Sequence, residues 1–305
     1  MKIAIMAAGA VGAYFGCRLA EGGHDVHFLA RGPHLEAIRK NGLAVKSDFG
    51  DMHLTSAQAT DDPSEVGAAD IILFAVKLWD TAASARACKP MLGADTAVIS
   101  LQNGVESAGI IAEELGAGHA LGGSAYISVA ISEPGVIQHF GKFAKLVFGE
   151  SDNQKSERVA AFRSACEESG VEAEIPDDIQ AAVWEKFITL ASMSGVTTTT
   201  RRPIGEILAD PDMAKTYRDT MEEIAAIGRA QGVNLAPDTV DKRMQHAAML
   251  PPGMTASTLK DLEADGRLET PWLTGAAVRL GRELNVPVPV NETLNTALKP
   301  YENGA

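Results

Sequence analysis

The chain has 305 residues, 46% of them hydrophobic, with a formal net charge of −13 and a mean hydropathy of −0.01. That length suits two domains rather than one ordinary core, and the acidic balance argues against nucleic acid or an anionic membrane surface as partner. No apolar run approaches the roughly 20 residues of a membrane span. Cys17, Cys88 and Cys166 are widely spaced and form no C-x-x-C pair, which predicts free thiols in a reducing, cytoplasmic setting and no metal site. The opening MKIAIM runs straight into a strand pattern, so no secretion signal is expected.

Lys2 to Met6 is a short apolar run suited to a buried parallel strand. Ala7-Ala8-Gly9-Ala10-Val11-Gly12 follows, close to the G-x-G-x-x-G turn that opens a dinucleotide-binding unit, with alanine at its first position. Gly9 lets backbone approach a pyrophosphate, Gly12 lets the helix pack on the sheet, and the helix N-terminus offers free N–H groups. The alternative is a glycine-rich turn that binds nothing. A second strand, Val26 to Arg31, ends where an NAD site carries a ribose-binding carboxylate. Here the residue is Arg31, whose guanidinium suits a 2′-phosphate, so NADP(H) is the expected cofactor. Arg31 as a plain surface arginine is the other reading.

Pro33 to Asn41 reads as a helix closed by Gly42, and Leu43–Val45 with His53–Ser56 as a β excursion. Asp70 to Lys77 and Ala97 to Gly104 are buried strands whose carboxyl ends carry Lys77 and Asn103. Ligands of doubly wound sheets sit at such ends, so Lys77 is a candidate for cofactor phosphate or ribose and Asn103 for ribose or substrate. A solvated lysine and a turn asparagine are the plainer alternatives. Ala120 to Glu150 is β-rich, Ser156 to Ser169 helical, and Val171 to Ile175 a last strand. The predicted fold is α/β: an N-terminal Rossmann-type doubly wound sheet, residues 1–176, followed by an all-α domain, residues 177–305.

A helix from Asp178 to about Met193 places Lys186 on one face with Ile179, Ala182, Val183, Leu190 and Met193. Burying that lysine lowers its pKa and makes it a proton donor for carbonyl reduction; alternatively its amine snorkels to solvent. Ser257 stands ready as an N-cap. Glu269 precedes Thr270-Pro271, expected to start a helix running through Leu284.

Together, AAGAVGAYFGCRLA, the Val76-Lys77 strand end, SLQNGV at Ser100, WEKF at Trp184, RRPIGEI at Arg201, TASTLKDLE at Thr255 and VPVPVNETL at Val286 resemble the ketopantoate reductase (2-dehydropantoate 2-reductase) family nearly end to end. The resemblance implies NADPH and a small 2-oxo acid in a cleft between a Rossmann and a helical domain. It implies Lys186 as catalytic lysine, Glu269 beside it in the active-site hydrogen bonds, and Asn103 on both cofactor and substrate. Ala7 to Gly12, Arg31 and Lys77 would hold the cofactor, and Ser257, Leu190 and Ser194 would line the substrate. The helical domain is also where a homodimer would form.

Where the family carries three asparagines, this chain has Leu190, Ser194 and Ile204. Each lost hydrogen bond removes about 0.5–1.5 kcal/mol of polar recognition. Ketopantoate reduction is therefore the leading expectation, reduction of a less polar 2-oxo acid or ketone the second. A non-catalytic NADP(H)-binding regulatory protein is the rival of another class, and the retention of Lys186, Ser257 and Glu269 together counts against it.

Overall fold

A computed structural model describes residues 1–304 of the chain. It divides into two compact units, Met1–Gln102 with Glu106–Ile179, and Asn103–Val105 with Gln180–Ala305. Asn103, expected on the strand-end side, belongs to the helical unit.

The first unit runs β1 (Lys2–Met6), α1 (Ala10–Glu21), β2 (Asp25–Leu29), α2 (Gly32–Asn41), β3 (Leu43–Lys46), β4 (Met52–Leu54) and β5 (Gln58–Thr60). It continues through β6 (Ala69–Phe74), α3 (Thr81–Ala87), β7 (Leu92–Ser100), α4 (Ser107–Leu115), β8 (Ala120–Glu133), β9 (Val136–Glu150), α5 (Glu157–Glu168) and β10 (Glu172–Glu174). The strands form one sheet in the order β4-β3-β9-β8-β7-β6-β1-β2-β5, with β10 paired to β9. Its middle, from β5 through β8, is parallel, while β8–β9 is a long antiparallel hairpin and β3–β4 a short one.

Two-residue periodicity explains the layering. Ile3, Ile5, Ile71, Leu73 and Ile99 enter the apolar cluster on one face, together with α1 and α5 side chains such as Phe15 and Phe162. Ala4, Met6, Ile72, Phe74 and Val98 enter the cluster on the other face with Ala85 and Ile111 of α3 and α4. A strand covered on both faces must be apolar at every position, which is why these runs carry no polar alternation. Cys17, Cys88 and Cys166 are free and buried, and burial pushes Cys88 and Cys166 up to about 12, so they stay protonated and inert.

The second unit contains α6 (Ile179–Thr200), α7 (Ile204–Ala209), α8 (Pro211–Ala230), α9 (Thr239–Met249), α10 (Ser257–Glu263), α11 (Thr274–Leu284) and α12 (Pro289–Leu298). The expected end of α6 near Met193 falls two turns short. Thr197 and Thr200 are accommodated in the helix because they donate their hydroxyls to the Met193 and Val196 carbonyls, each at 2.7 Å. α6 and α8 approach closely at Gly228, where a Cβ would lie 2.9 Å from the Trp184 ring. The expected helix from Thr270 is also corrected. Thr270–Trp272 forms a single 3₁₀ turn, Leu273 leaves helical geometry at φ −108°, ψ −98°, and α11 starts at Thr274.

Glu223 of α8 fastens α12. Its carboxylate accepts the N–H groups of Val290 and Asn291, each at 2.9 Å, and the Asn291 amide at 2.8 Å. A carboxylate on uncapped first-turn N–H groups is favourable twice, by hydrogen bonding and by the helix dipole. Glu223→Ala is expected to cost about 2–4 kcal/mol, read as a lower urea midpoint at unchanged slope, because it strands buried donors.

Candidate active site

In the first unit the carboxyl ends of the central strands finish in line. Met6 lies opposite both Leu29 and Phe74, and Phe74 lies opposite Ser100. The glycine turn, Arg31, Lys77 and Gln102 therefore leave the sheet along one edge, the position where doubly wound sheets bind ligands.

The turn has the properties a dinucleotide phosphate needs. Gly9 is the N-cap of α1, with no side chain capping it and no acidic residue in the first turn. Gly9, Ala10, Val11 and Gly12 precede the first intrahelical bond, which Ala13 makes to the Gly9 carbonyl at 2.8 Å. A Cβ on Gly9 would meet nothing within 4 Å, whereas one on Gly12 would lie 2.3 Å from the Ala7 carbonyl oxygen. So Gly9 faces open space and Gly12 serves helix-to-sheet packing, as their spacing implies. Ala7 stays out of the left-handed region, which is why alanine is tolerated at the first fingerprint position. Ala8 differs from the rest: its N–H is spent on the Leu29 carbonyl at 2.7 Å, so it is no phosphate donor.

Arg31 is exposed at the N-cap of α2, just past the end of β2. Lys77 is exposed past the end of β6, its ammonium 5.5 Å from the centre of the Trp79 ring. Trp79 did not stand out in the sequence, since nothing in the pattern distinguishes it from a packing residue. Gln102 was also missed. It is buried; its amide donates to the Val76 carbonyl at 3.0 Å and to the Thr81 hydroxyl at 2.9 Å, fixing the strand end from which Asn103 leaves. A glutamine closing a strand that is otherwise apolar is the signal that could have found it.

In the second unit Lys186 donates to the Asn103 side-chain oxygen at 3.1 Å. The lysine is half-buried, and desolvation of its ammonium pushes its pKa down to about 8. The apolar stripe around it is only partly core. Trp184, Phe187, Ile188 and Ala191, on the opposite side of α6, fill the interior. Ala182, Val183 and Leu190, the neighbours of Lys186 along its own face, are half-buried. The lysine thus stands on an open apolar wall rather than inside a core stripe.

α10 is stitched to α6 on either side of Ser257. The Ala256 N–H donates to the Thr197 hydroxyl at 3.3 Å, and the Thr258 and Ser194 hydroxyls meet at 2.6 Å. Ser257 between them is exposed at the first position of α10; Ala256, not Ser257, is the N-cap. Ser194, expected on the substrate, has no exposed surface and spends its hydroxyl on Thr258. Ile204 is core, its N–H bonded to the Met254 carbonyl at 2.9 Å, with Gly205 against Pro252. Glu269 is half-buried at the head of the Thr270–Trp272 turn. Of the expected catalytic and substrate residues, Lys186 and Asn103 are in direct contact, and Ser257 and Glu269 share their unit.

Residues 3–153 match the family "Ketopantoate reductase PanE/ApbA", and residues 178–302 match its C-terminal domain. The chain is 32% identical to a 2-dehydropantoate 2-reductase of Mesorhizobium japonicum over 95% of this chain and 94% of that one. It is 30% identical to an uncharacterized oxidoreductase, YkpB, of Bacillus subtilis over 99% of both. A PanE/ApbA family ketopantoate reductase from Ralstonia eutropha superposes with a TM-score of 0.90 at 35% identity, covering 99% of this chain and 98% of that one. A D-mandelate dehydrogenase solved with NADH and anilino(oxo)acetate shares the fold, with a TM-score of 0.88 at 22% identity over 99% and 98% of the two chains. An N-terminal nucleotide-type sheet, a helical unit carrying the Lys186–Asn103 pair and these end-to-end matches lead to one conclusion: the chain is an oxidoreductase of the ketopantoate reductase family.

Proposed function

We propose that the protein is an NADPH-dependent reductase that converts a 2-oxo acid to the 2-hydroxy acid, with ketopantoate as the first substrate to test. The observation that carries this reading is the desolvated Lys186 ammonium held by Asn103 on a half-open face. A reduced nicotinamide supplies the hydride when bound. Gly9 to Gly12 offer the pyrophosphate their N–H groups, and Arg31, with Lys77, supplies positive charge that a chain of net charge −13 otherwise lacks. Lys186 hydrogen-bonds the substrate carbonyl oxygen through Nζ, polarises it, and passes its proton to that oxygen as negative charge develops. Asn103 accepts from Lys186 through Oδ1, which orients the ammonium and leaves its amide N–H groups for ribose or substrate. Ser257 offers a hydroxyl to the substrate carboxylate, and Glu269 orders the donors around it. The three free, buried thiols support a cytoplasmic setting.

A second reading is favoured by Leu190, Ser194 and Ile204. Leu190 puts an aliphatic chain one turn from Lys186, while Ser194 and Ile204 are committed to packing. This combination supports a 2-oxo acid with an apolar side chain. The test is NADPH oxidation, followed by absorbance, with ketopantoate beside branched aliphatic and aromatic 2-oxo acids. Turnover of ketopantoate at least about tenfold more efficient supports the first reading, and the reverse order supports the second. NADPH binding without turnover of any of them would count against both and favour a regulatory protein.

Cofactor choice is tested at Arg31. Losing a guanidinium–phosphate contact costs about 1.5–3 kcal/mol. Arg31→Ala should therefore raise the NADPH dissociation constant roughly tenfold to a hundredfold and leave that of NADH within about threefold. Equal losses for both cofactors would remove Arg31 from the 2′-phosphate.

A further inference from the structure

The segment that delivers Ser257 is held at every second residue. α7 starts without a capping side chain, since its N-cap is Pro203. Its first N–H groups reach the connection between α9 and α10 instead: Gly205 donates to the Pro252 carbonyl and Ile204 to the Met254 carbonyl, each at 2.9 Å. Further along, Ala256 is tied to Thr197 at 3.3 Å and Thr258 to Ser194 at 2.6 Å, both on α6. Ser257 is exposed between those last two anchors. α10 spans only Ser257–Glu263, about two turns, so it begins where this segment puts it.

The tightest of these contacts is at Gly205. A Cβ there would lie 2.7 Å from the Pro252 Cβ, 2.8 Å from its carbonyl oxygen and 2.9 Å from its Cα. Gly205 is not among the glycines with positive φ, so close approach, not backbone conformation, is what calls for glycine. Two of the three opposing atoms are backbone. The rings of Pro251 and Pro252 fix φ at both positions, so the segment cannot take up a methyl by local rotation and must move. Gly253, the next residue, is the opposite case: it is exposed and a Cβ there would meet nothing within 4 Å.

Resting on the reading of Ser257 as a donor to the substrate carboxylate, we propose that Gly205 is a positioning residue for the substrate: its missing side chain lets Pro252 seat on α7, and that seat sets where the Ser257 hydroxyl stands. Gly205 acts through the segment and touches no substrate itself. A hydroxyl bonded to a carboxylate that does not react holds the ground state and the transition state alike, so its displacement raises KM and spares kcat.

The test measures KM and kcat of the full chain, at saturating NADPH, with ketopantoate or with the aliphatic 2-oxo acid where that is turned over better. The variants are Gly205→Ala, Gly253→Ala, Thr197→Val and Ser257→Ala, together with Gly205→Ala and Thr197→Val each combined with Ser257→Ala, alongside thermal melts. Ser257→Ala is expected to raise KM roughly tenfold, and Gly205→Ala about fivefold to tenfold, with kcat within about threefold. Thr197→Val keeps the shape of the side chain and removes the acceptor of the Ala256 N–H; it should raise KM about threefold, and it carries the test should Gly205→Ala not fold. Gly253→Ala should match wild type. In the Ser257→Ala background neither substitution should raise KM by more than about twofold further, because the residue through which they act is gone. A wild-type KM in folded Gly205→Ala, a loss of kcat in place of KM, a Gly253→Ala variant equally impaired, or effects that add in full to those of Ser257→Ala would each overturn the proposal. A wild-type KM in Ser257→Ala would overturn the reading of Ser257 itself, and the proposal with it.

Discussion

Lys186→Met is expected to lower kcat about a thousandfold while making the protein more stable at pH 7. A positioned general acid contributes roughly 10²–10⁴ in rate, and methionine keeps the volume of the side chain without a proton to give. The stability gain follows from the pKa, lowered by desolvation from 10.5 to about 8. Each unit corresponds to about 1.36 kcal/mol, so holding the charged lysine costs the fold on the order of 3 kcal/mol, partly offset by the bond to Asn103. The net gain on removing it is about 1–3 kcal/mol. The sign with pH is fixed by the same shift. Between pH 8 and 10.5 the unfolded chain binds the proton that the folded chain has released, so the penalty is fully present below pH 8. Wild-type stability should gain a rising contribution across that window that the methionine variant lacks. In the proposed mechanism reduction of the carbonyl uses the ammonium, so kcat/KM for reduction should fall as pH rises through about 8, and oxidation of the hydroxy acid should rise through the same value. Full turnover in Lys186→Met, or a reduction profile flat from pH 6 to about 9, would remove the lysine from the chemistry.

The second large effect separates two glycines three residues apart. A methyl on Gly12 would lie 2.3 Å from the Ala7 carbonyl oxygen, 2.7 Å from Ile5 Cγ2 and 3.3 Å from the Ala75 Cβ. One of those neighbours is backbone and another is β1 core, so α1 must shift; overpacking of this kind costs about 1–3 kcal/mol and more where backbone moves. Gly12→Ala should lose about 3 kcal/mol, read as a lower denaturation midpoint, and bind NADPH poorly because the turn moves with the helix. Gly9 is the opposite case. Its φ of −69° suits alanine and no atom lies within 4 Å of the added methyl. Gly9→Ala should leave stability within about 0.5 kcal/mol, yet weaken NADPH at least about tenfold, since the methyl occupies the approach of the pyrophosphate. Unaltered NADPH affinity in a folded Gly9→Ala variant would place the pyrophosphate elsewhere.

Much of this is legible in the amino-acid sequence alone. The apolar runs at Lys2–Met6, Asp70–Lys77 and Ala97–Gly104 read as buried strands, and the Gly9/Gly12 spacing as a turn into a helix. Both rest on local rules, the two-residue period of a strand and the φ freedom and small size of glycine, which act within a few residues. Lys186 also announced itself, as a charge that interrupts an apolar period. Long-range contacts were not legible. Ser194 and Thr258 are 64 residues apart and their pairing, which turns Ser194 from substrate candidate to scaffold, depends on how α10 packs on α6. Gln102, 26 residues from Val76, gains its role only when β6 and β7 lie side by side. The extension of α6 through Thr200 and the break at Leu273 were also decided by packing, since threonine hydroxyls and a proline turn each satisfy backbone groups in more than one way. The chemistry this chain carries is therefore written in residue types and short spacings, where sterics and periodicity dominate. Which hydroxyl or amide is spent on the scaffold and which is left for a ligand was decided only in the folded chain, because a polar group can satisfy its hydrogen bonds with whatever partner tertiary packing brings within about 3 Å.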